Sequence, residues 1–125
     1  RRRSLDGPLA ADPVLRQELA QLAIETEVLR ASTYRSVFEI MRTGQPGPGG
    51  SMLKLFWSEL EQRLMDTACG ILGPYASLAG DESRGVDRNA WTRELLWTRS
   101  ATIYAGTSEV QRNIIAQRVL GLPRG

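Results

Sequence analysis

The stretch Ile103-Tyr104-Ala105-Gly106-Thr107-Ser108-Glu109-Val110-Gln111-Arg112-Asn113-Ile114-Ile115 sets the reading of the whole chain. A helix-compatible run reaches Tyr104, meets Gly106, where the backbone can turn sharply, and restarts behind Thr107 or Ser108 as N-cap. Ser108 with Gln111 three residues on makes a capping box, and Glu109 puts a carboxylate in the positively polarised first turn. Two helices therefore meet at a bend whose amides around Gly106 and Thr107 point outward. Such amides can hold a phosphate, a carbonyl oxygen or a sugar hydroxyl. An ordinary corner between two packed helices needs the same residues, so the pattern by itself leaves both readings open.

Working outward, 125 residues with 42% hydrophobic and 24% charged side chains suit one globular domain with a real core. The net charge of +2 is exceeded by Arg1, Arg2 and Arg3 alone, so the balance implies no basic face and no nucleic-acid partner. There is no histidine, which excludes Ser-His triads and His-ligated metals within this chain, and no metal site is expected. The single Cys69 excludes an internal disulfide and fits a reducing compartment. No apolar run approaches the roughly 20 residues of a membrane span, and the opening residues do not read as a signal peptide, so a cytoplasmic protein is expected.

Taken in order, Arg1 to Ala11 reads as a flexible polar lead-in, and residues 12–125 as one helical domain. Asp12-Pro13 supplies an N-cap with proline at the first helical position. Leu15, Leu19, Leu22, Leu29, Val37 and Ile40 then keep to one stripe of a long helix ending near Thr43. Gln45-Pro46-Gly47-Pro48-Gly49-Gly50 reads as a loop, after which Ser51 caps a second helix. That helix carries Leu53, Phe56, Leu60, Leu64, Ala68 and Ile71 inward, with Lys54, Ser58, Gln62 and Asp66 off the stripe, and stops at Gly73-Pro74. Phe56 and Trp57 side by side read as core and edge-of-core packing.

Tyr75 to Arg88 reads as a surface loop, and a third helix runs from about Asn89 through Trp91, Leu95, Leu96 and Trp97 to the bend. The fourth, Ser108 to Leu120, turns Val110 and Ile114 inward with Ile115 beside them, and Gly121 and Pro123 close the chain. Four amphipathic helices with short polar connections predict an all-α up-and-down four-helix bundle.

Tyr104-Ala105-Gly106-Thr107-Ser108-Glu109-Val110-Gln111-Arg112, continuing to Ile115, Arg118 and Leu120-Gly121-Leu122-Pro123-Arg124, closely resembles the C-terminal signature of the acyl-CoA dehydrogenase flavoenzymes. The resemblance spans essentially the whole chain and is most specific from Trp91 onward. It implies the C-terminal helical bundle of such an enzyme without that bundle's first helix, so the chain reads as a fragment or a truncated member. It also implies FAD as cofactor, an acyl-CoA substrate, an electron-transfer partner, and a homo-oligomer (dimer or tetramer) or mixed oligomer.

On the matching positions, the resemblance makes Gly106, Thr107 and Glu109 contacts of the FAD adenosine half, and Tyr104 and Ala105 neighbours of the substrate. Many family members carry at the position of Ala105 the glutamate that removes the substrate α-proton; a methyl group cannot, so no catalytic residue is assigned here. The base then comes from the preceding helix, or the parent is a non-catalytic partner in a mixed complex. The family's glycine-rich segment toward a neighbouring subunit's pyrophosphate reads Leu72-Gly73-Pro74-Tyr75 here, where proline removes a donor. The isolated chain is expected to be inactive. Its open groove predicts self-association, most simply as a two-fold dimer through the helices beginning at Asp12 and Ser51.

Overall fold

The computed structural model describes residues 9–47, 49–77 and 86–124. A short 3-10 turn, Leu9–Ala11, leads into α1 (Pro13–Thr43), followed by α2 (Gly49–Leu72), α3 (Ala90–Ala101) and α4 (Ser108–Arg118). Two further 3-10 segments, Gly73–Ser77 and Val86–Asn89, lie between α2 and α3, and no strand occurs among the described residues. The expected flexibility of residues 1–8 and the heart of the loop at 78–85 lie outside the described residues.

The bounds of α1 follow from local chemistry. The Asp12 carboxylate accepts from the amides of Val14 (2.8 Å) and Leu15 (3.3 Å), and Pro13 occupies the first turn, where a missing N–H is harmless. At the other end Gly44 takes a left-handed φ of 70° and returns its amide to the Ile40 carbonyl at 2.8 Å. The start of α2 departs from expectation: the helix begins at Gly49, so Gly49 and Gly50 are helical and Ser51 lies inside the first turn. Glycine costs a helix only about 0.5–1 kcal/mol relative to alanine, which the packing of the rest of α2 can offset.

The bundle is organised on α2, against which α1, α3 and α4 each pack. The α1 face turned to α2 runs through Leu15, Glu18, Leu22, Glu25, Leu29, Ser32 and Ser36, in steps of three and four; Leu15 and Leu22 are buried and the rest half-buried. Leu19, Val37 and Ile40, expected on this stripe, are instead exposed. Leu60, Met65 and Cys69 form the α2 core, and the Arg63 guanidinium ties α1 to α2 through Glu25.

Against α3, the contact is made by small groups. Ser58, Thr98 and Ala101 are almost fully buried, the two hydroxyls donating to the Leu55 and Leu95 carbonyls at 3.2 and 2.9 Å. Satisfying a buried hydroxyl on its own helix removes the cost of burying it and lets two backbones approach closely. The large groups of α3 would hold the helices apart, and Trp91, Leu96 and Trp97 are exposed, the last two by 68% and 65%. Thr92 is buried instead and donates to the Ala76 carbonyl at 2.8 Å.

Candidate functional site at the bend between α3 and α4

The bend spans Thr102 to Thr107. As α3 ends, the amides of Ile103 and Tyr104 both return to the Ser100 carbonyl, at 2.9 and 3.0 Å. Two left-handed residues follow, Ala105 (φ 54°) and Gly106 (φ 94°), and these reverse the chain. Glycine meets that geometry freely; alanine there costs about 1–2 kcal/mol, so other contacts must hold it.

Two side chains do so. The Gln111 Nε2 donates to the Ala105 carbonyl at 2.7 Å, and the Lys54 Nζ donates to the Gly106 carbonyl at 2.7 Å. Both consecutive carbonyls are thereby drawn toward the protein. Among the described residues the amides of Ala105, Gly106 and Thr107 donate to no protein acceptor. Gln111 lies so close beneath the turn that a Cβ on Gly106 would stand 2.8 Å from its Nε2 and 3.3 Å from the Val110 Cγ1.

The restart of the helix corrects the capping box. Thr107, one of the two anticipated caps, is the N-cap, accepting from the Val110 amide at 3.3 Å, while Ser108 is the first helical residue. Gln111 is one position too far along to close a box from Thr107; buried, it reaches across the bend instead. Ser108 and Gln111 are the buried residues of α4, Ile114 and Ile115 are half-buried, and Val110, expected inward, is exposed. The Glu109 carboxyl is held below its usual range by hydrogen bonds from its own amide and the Thr107 hydroxyl, and it is exposed.

α2 supplies the floor. The Trp57 and Tyr104 rings meet at 6.2 Å between centroids, tilted by 50°, which places Trp57 against Tyr104 as well as at the core edge. One turn on, Gln62 Nε2 donates to the Thr98 carbonyl and the Thr102 hydroxyl, each at 3.0 Å, fixing the end of α3. Arg112 meets Glu59 at 2.6 Å and fixes α4. Lys54, Ser58 and Gln62, which lie off the apolar stripe, thus face α3 and α4. A polar stripe at helical spacing beside the apolar one was their signal.

The five residues singled out in the sequence, Tyr104, Ala105, Gly106, Thr107 and Glu109, therefore lie together on one turn, with Tyr104, Ala105 and Glu109 exposed. Gly73, in the segment Leu72-Gly73-Pro74-Tyr75, stands at the opposite end of α2 from Lys54, about 28 Å along the helix axis at 1.5 Å per residue. The structure does not bring these two places together within one chain.

This bundle, with the bend between α3 and α4, is matched by a known family. The family described as "Acyl-CoA dehydrogenase, C-terminal domain" matches residues 1–120, and the chain belongs to it. It is 36% identical over 115 residues to acyl-CoA dehydrogenase IpdE1 of Mycolicibacterium smegmatis, across 92% of this chain and 27% of that protein. To acyl-CoA dehydrogenase IpdE1 of Mycobacterium tuberculosis it is 35% identical over 115 residues, across 92% of this chain and 28% of that one. The crystal structure of the ChsE4-ChsE5 complex from Mycobacterium tuberculosis superposes over 100% of this chain and 32% of the matched one, with a TM-score of 0.81 at 26% identity. The chain thus spans about a quarter to a third of the length of these relatives. No described helix is long and apolar enough to cross a membrane.

Proposed function

We propose that this chain is the C-terminal domain of a cytoplasmic, FAD-dependent acyl-CoA dehydrogenase that introduces an α,β double bond into an acyl-CoA thioester in fatty acid metabolism. The observation that carries the reading is the turn at Ala105 and Gly106. With both carbonyls engaged by Gln111 and Lys54, its three free amides lie next to an N-cap and an exposed acceptor, Glu109.

These groups fit the adenosine half of FAD. Amides at a helix N-terminus complement an oxyanion, and a carboxylate kept ionised accepts from ribose hydroxyls. FAD, when bound, supplies the hydride acceptor. The work of this chain is positioning: Gly106, Thr107 and Glu109 hold the cofactor, and the Ala105 amide polarises the thioester carbonyl, a role that needs no side chain. Tyr104, braced by Trp57, walls the substrate side.

A second reading is favoured by Ala105 itself. With no carboxylate on the turn, the parent is either served by a base on another element or is a supporting chain in a homo- or mixed oligomer. Anaerobic flavin bleaching by an acyl-CoA, measured across pH for the full-length parent and its Ala105→Glu variant, separates them. If a base is present elsewhere, the parent bleaches, and the variant titrates differently, because two nearby carboxylates resist joint ionisation. An inert parent that gains about 10²–10⁴-fold in the variant marks the supporting role. The 125-residue chain alone is expected to carry no stoichiometric flavin after gel filtration, and a bound-flavin absorbance band would contradict this.

A further inference from the structure

Two neighbouring carbonyls of the turn are held by different kinds of donor. Gln111 meets Ala105 with a neutral amide, and Lys54 meets Gly106 with an ammonium, both at 2.7 Å. For holding the backbone in shape either donor would serve, since a peptide oxygen accepts from both. At a half-buried position the cation is the costlier of the two, because a carbonyl replaces only part of the hydration it gives up. Among the described residues no carboxylate pairs with Lys54. Arg112, the cation that α4 sets against α2, is by contrast neutralised by Glu59 at 2.6 Å. The Glu109 carboxylate, on the first turn of α4, is engaged by its own amide and the Thr107 hydroxyl. The charge of Lys54 is therefore left without an ion-pair partner.

That charge is delivered to the open side of the turn. The Gly106 carbonyl and the Thr107 amide belong to one planar, conjugated unit, so a cation on the oxygen draws density from the nitrogen and makes its N–H a stronger donor. Gln111 does the same, more weakly, for the Gly106 amide. The Lys54 Nζ also lies no more than about 5 Å from the Thr107 nitrogen, and its field adds to the positive end of the α4 dipole. Outward amides alone suit a phosphate, a carbonyl oxygen or a sugar hydroxyl equally. An uncompensated cation behind them favours the charged oxyanion over the two neutral groups.

We propose that Lys54 is a positioning residue for a phosphate: acting through the Gly106–Thr107 peptide, its charge makes the turn select the anionic part of the cofactor. This deepens the function proposed above and rests on it, and it separates Lys54 from Gln111, which sets the shape of the turn without charging it.

The test titrates the flavin-stripped full-length parent with FAD, ADP and riboflavin, the last carrying no phosphate. Lys54→Met should weaken FAD and ADP by roughly tenfold, the worth of one charge-assisted hydrogen bond, and riboflavin by less than about twofold. Lys54→Arg should recover most of the loss. Lys54→Gln, which keeps a donor and removes the charge, should behave like Lys54→Met and serves in its place if that variant does not fold. Raising salt from about 50 to about 300 mM shortens the screening length from roughly 14 to 6 Å, so the gap between parent and Lys54→Met for ADP should narrow. Equal losses for riboflavin and ADP, full ADP affinity in Lys54→Gln, or no recovery in Lys54→Arg would overturn the charge role while FAD binding by the parent stands. A parent that binds neither FAD nor ADP overturns the proposed function and this inference together.

Discussion

Replacing Gly106 by alanine probes the bend from both of its physical causes. The φ of 94° lies where an L side chain is strained, at about 1–2 kcal/mol. The added methyl would also stand 2.8 Å from the Gln111 Nε2, so the amide must withdraw from the Ala105 carbonyl it now meets at 2.7 Å. Losing that hydrogen bond costs a further ~0.5–1.5 kcal/mol. The total, about 1.5–3.5 kcal/mol, corresponds to a fall in Tm of roughly 6–14 °C for a domain of this size. Urea unfolding of Gly106→Ala, Gln111→Ala and the double variant apportions it. In the Gln111→Ala background only the backbone strain remains, so the Gly106→Ala cost should drop by about 1 kcal/mol, a coupling well above the additivity error. A Gly106→Ala loss below ~0.5 kcal/mol would refute the left-handed turn, and strict additivity would refute the contact with Gln111.

Lys54→Met should lower stability by about 0.5–1 kcal/mol, a charge-assisted bond discounted for partial solvent access, with Lys54→Arg recovering part of it in thermal unfolding. Glu61 behaves oppositely to the usual carboxylate: desolvation first, and then the Glu94 charge, raise its pKa above the ordinary value. A raised folded pKa contributes stability that is present below the unfolded value near 4.5 and lost as pH rises through the folded one. Glu61→Gln should therefore stabilise the chain modestly at neutral pH, and a pH series of denaturation midpoints should show the gain vanishing in acid. Glu25, held low chiefly by the Arg63 hydrogen bond, carries the reverse dependence, so Arg63→Leu should flatten the loss of stability on acidification.

What the sequence disclosed divides by the kind of physics involved. Local backbone chemistry was legible: Asp12-Pro13 opens α1, Gly73-Pro74 closes α2, and Gly106 marks the bend, because caps and left-handed turns are decided within a few residues. The five residues singled out in the sequence likewise fall on one turn. Tertiary partners were not. Leu96 and Trp97 look like core by hydrophobicity, yet the α2–α3 contact selects small hydroxyl residues, a choice set by interhelical distance. Lys54 reads only as a polar residue off the apolar stripe, and its target is a carbonyl 52 residues away. Gln111 reads as half of a capping box, and only the shift of the cap from Ser108 to Thr107 frees it to cross the bend.

That crossing separates two properties that the family signature runs together. The conformation of the turn is fixed by groups acting on carbonyls, Gln111 on Ala105 and Lys54 on Gly106, and by the buried small contacts that seat the end of α3. None of these involves the Ala105 side chain, which is exposed. A glutamate there would share the backbone strain that alanine already bears at φ 54°, since the penalty arises at Cβ and both residues have one. The fold therefore neither requires nor forbids a base at this position. Under the proposed function, the amide frame can persist while the proton-abstracting group is placed on another element or dispensed with, so the signature marks a turn conformation, and the chemistry must be read from whichever carboxylate faces it.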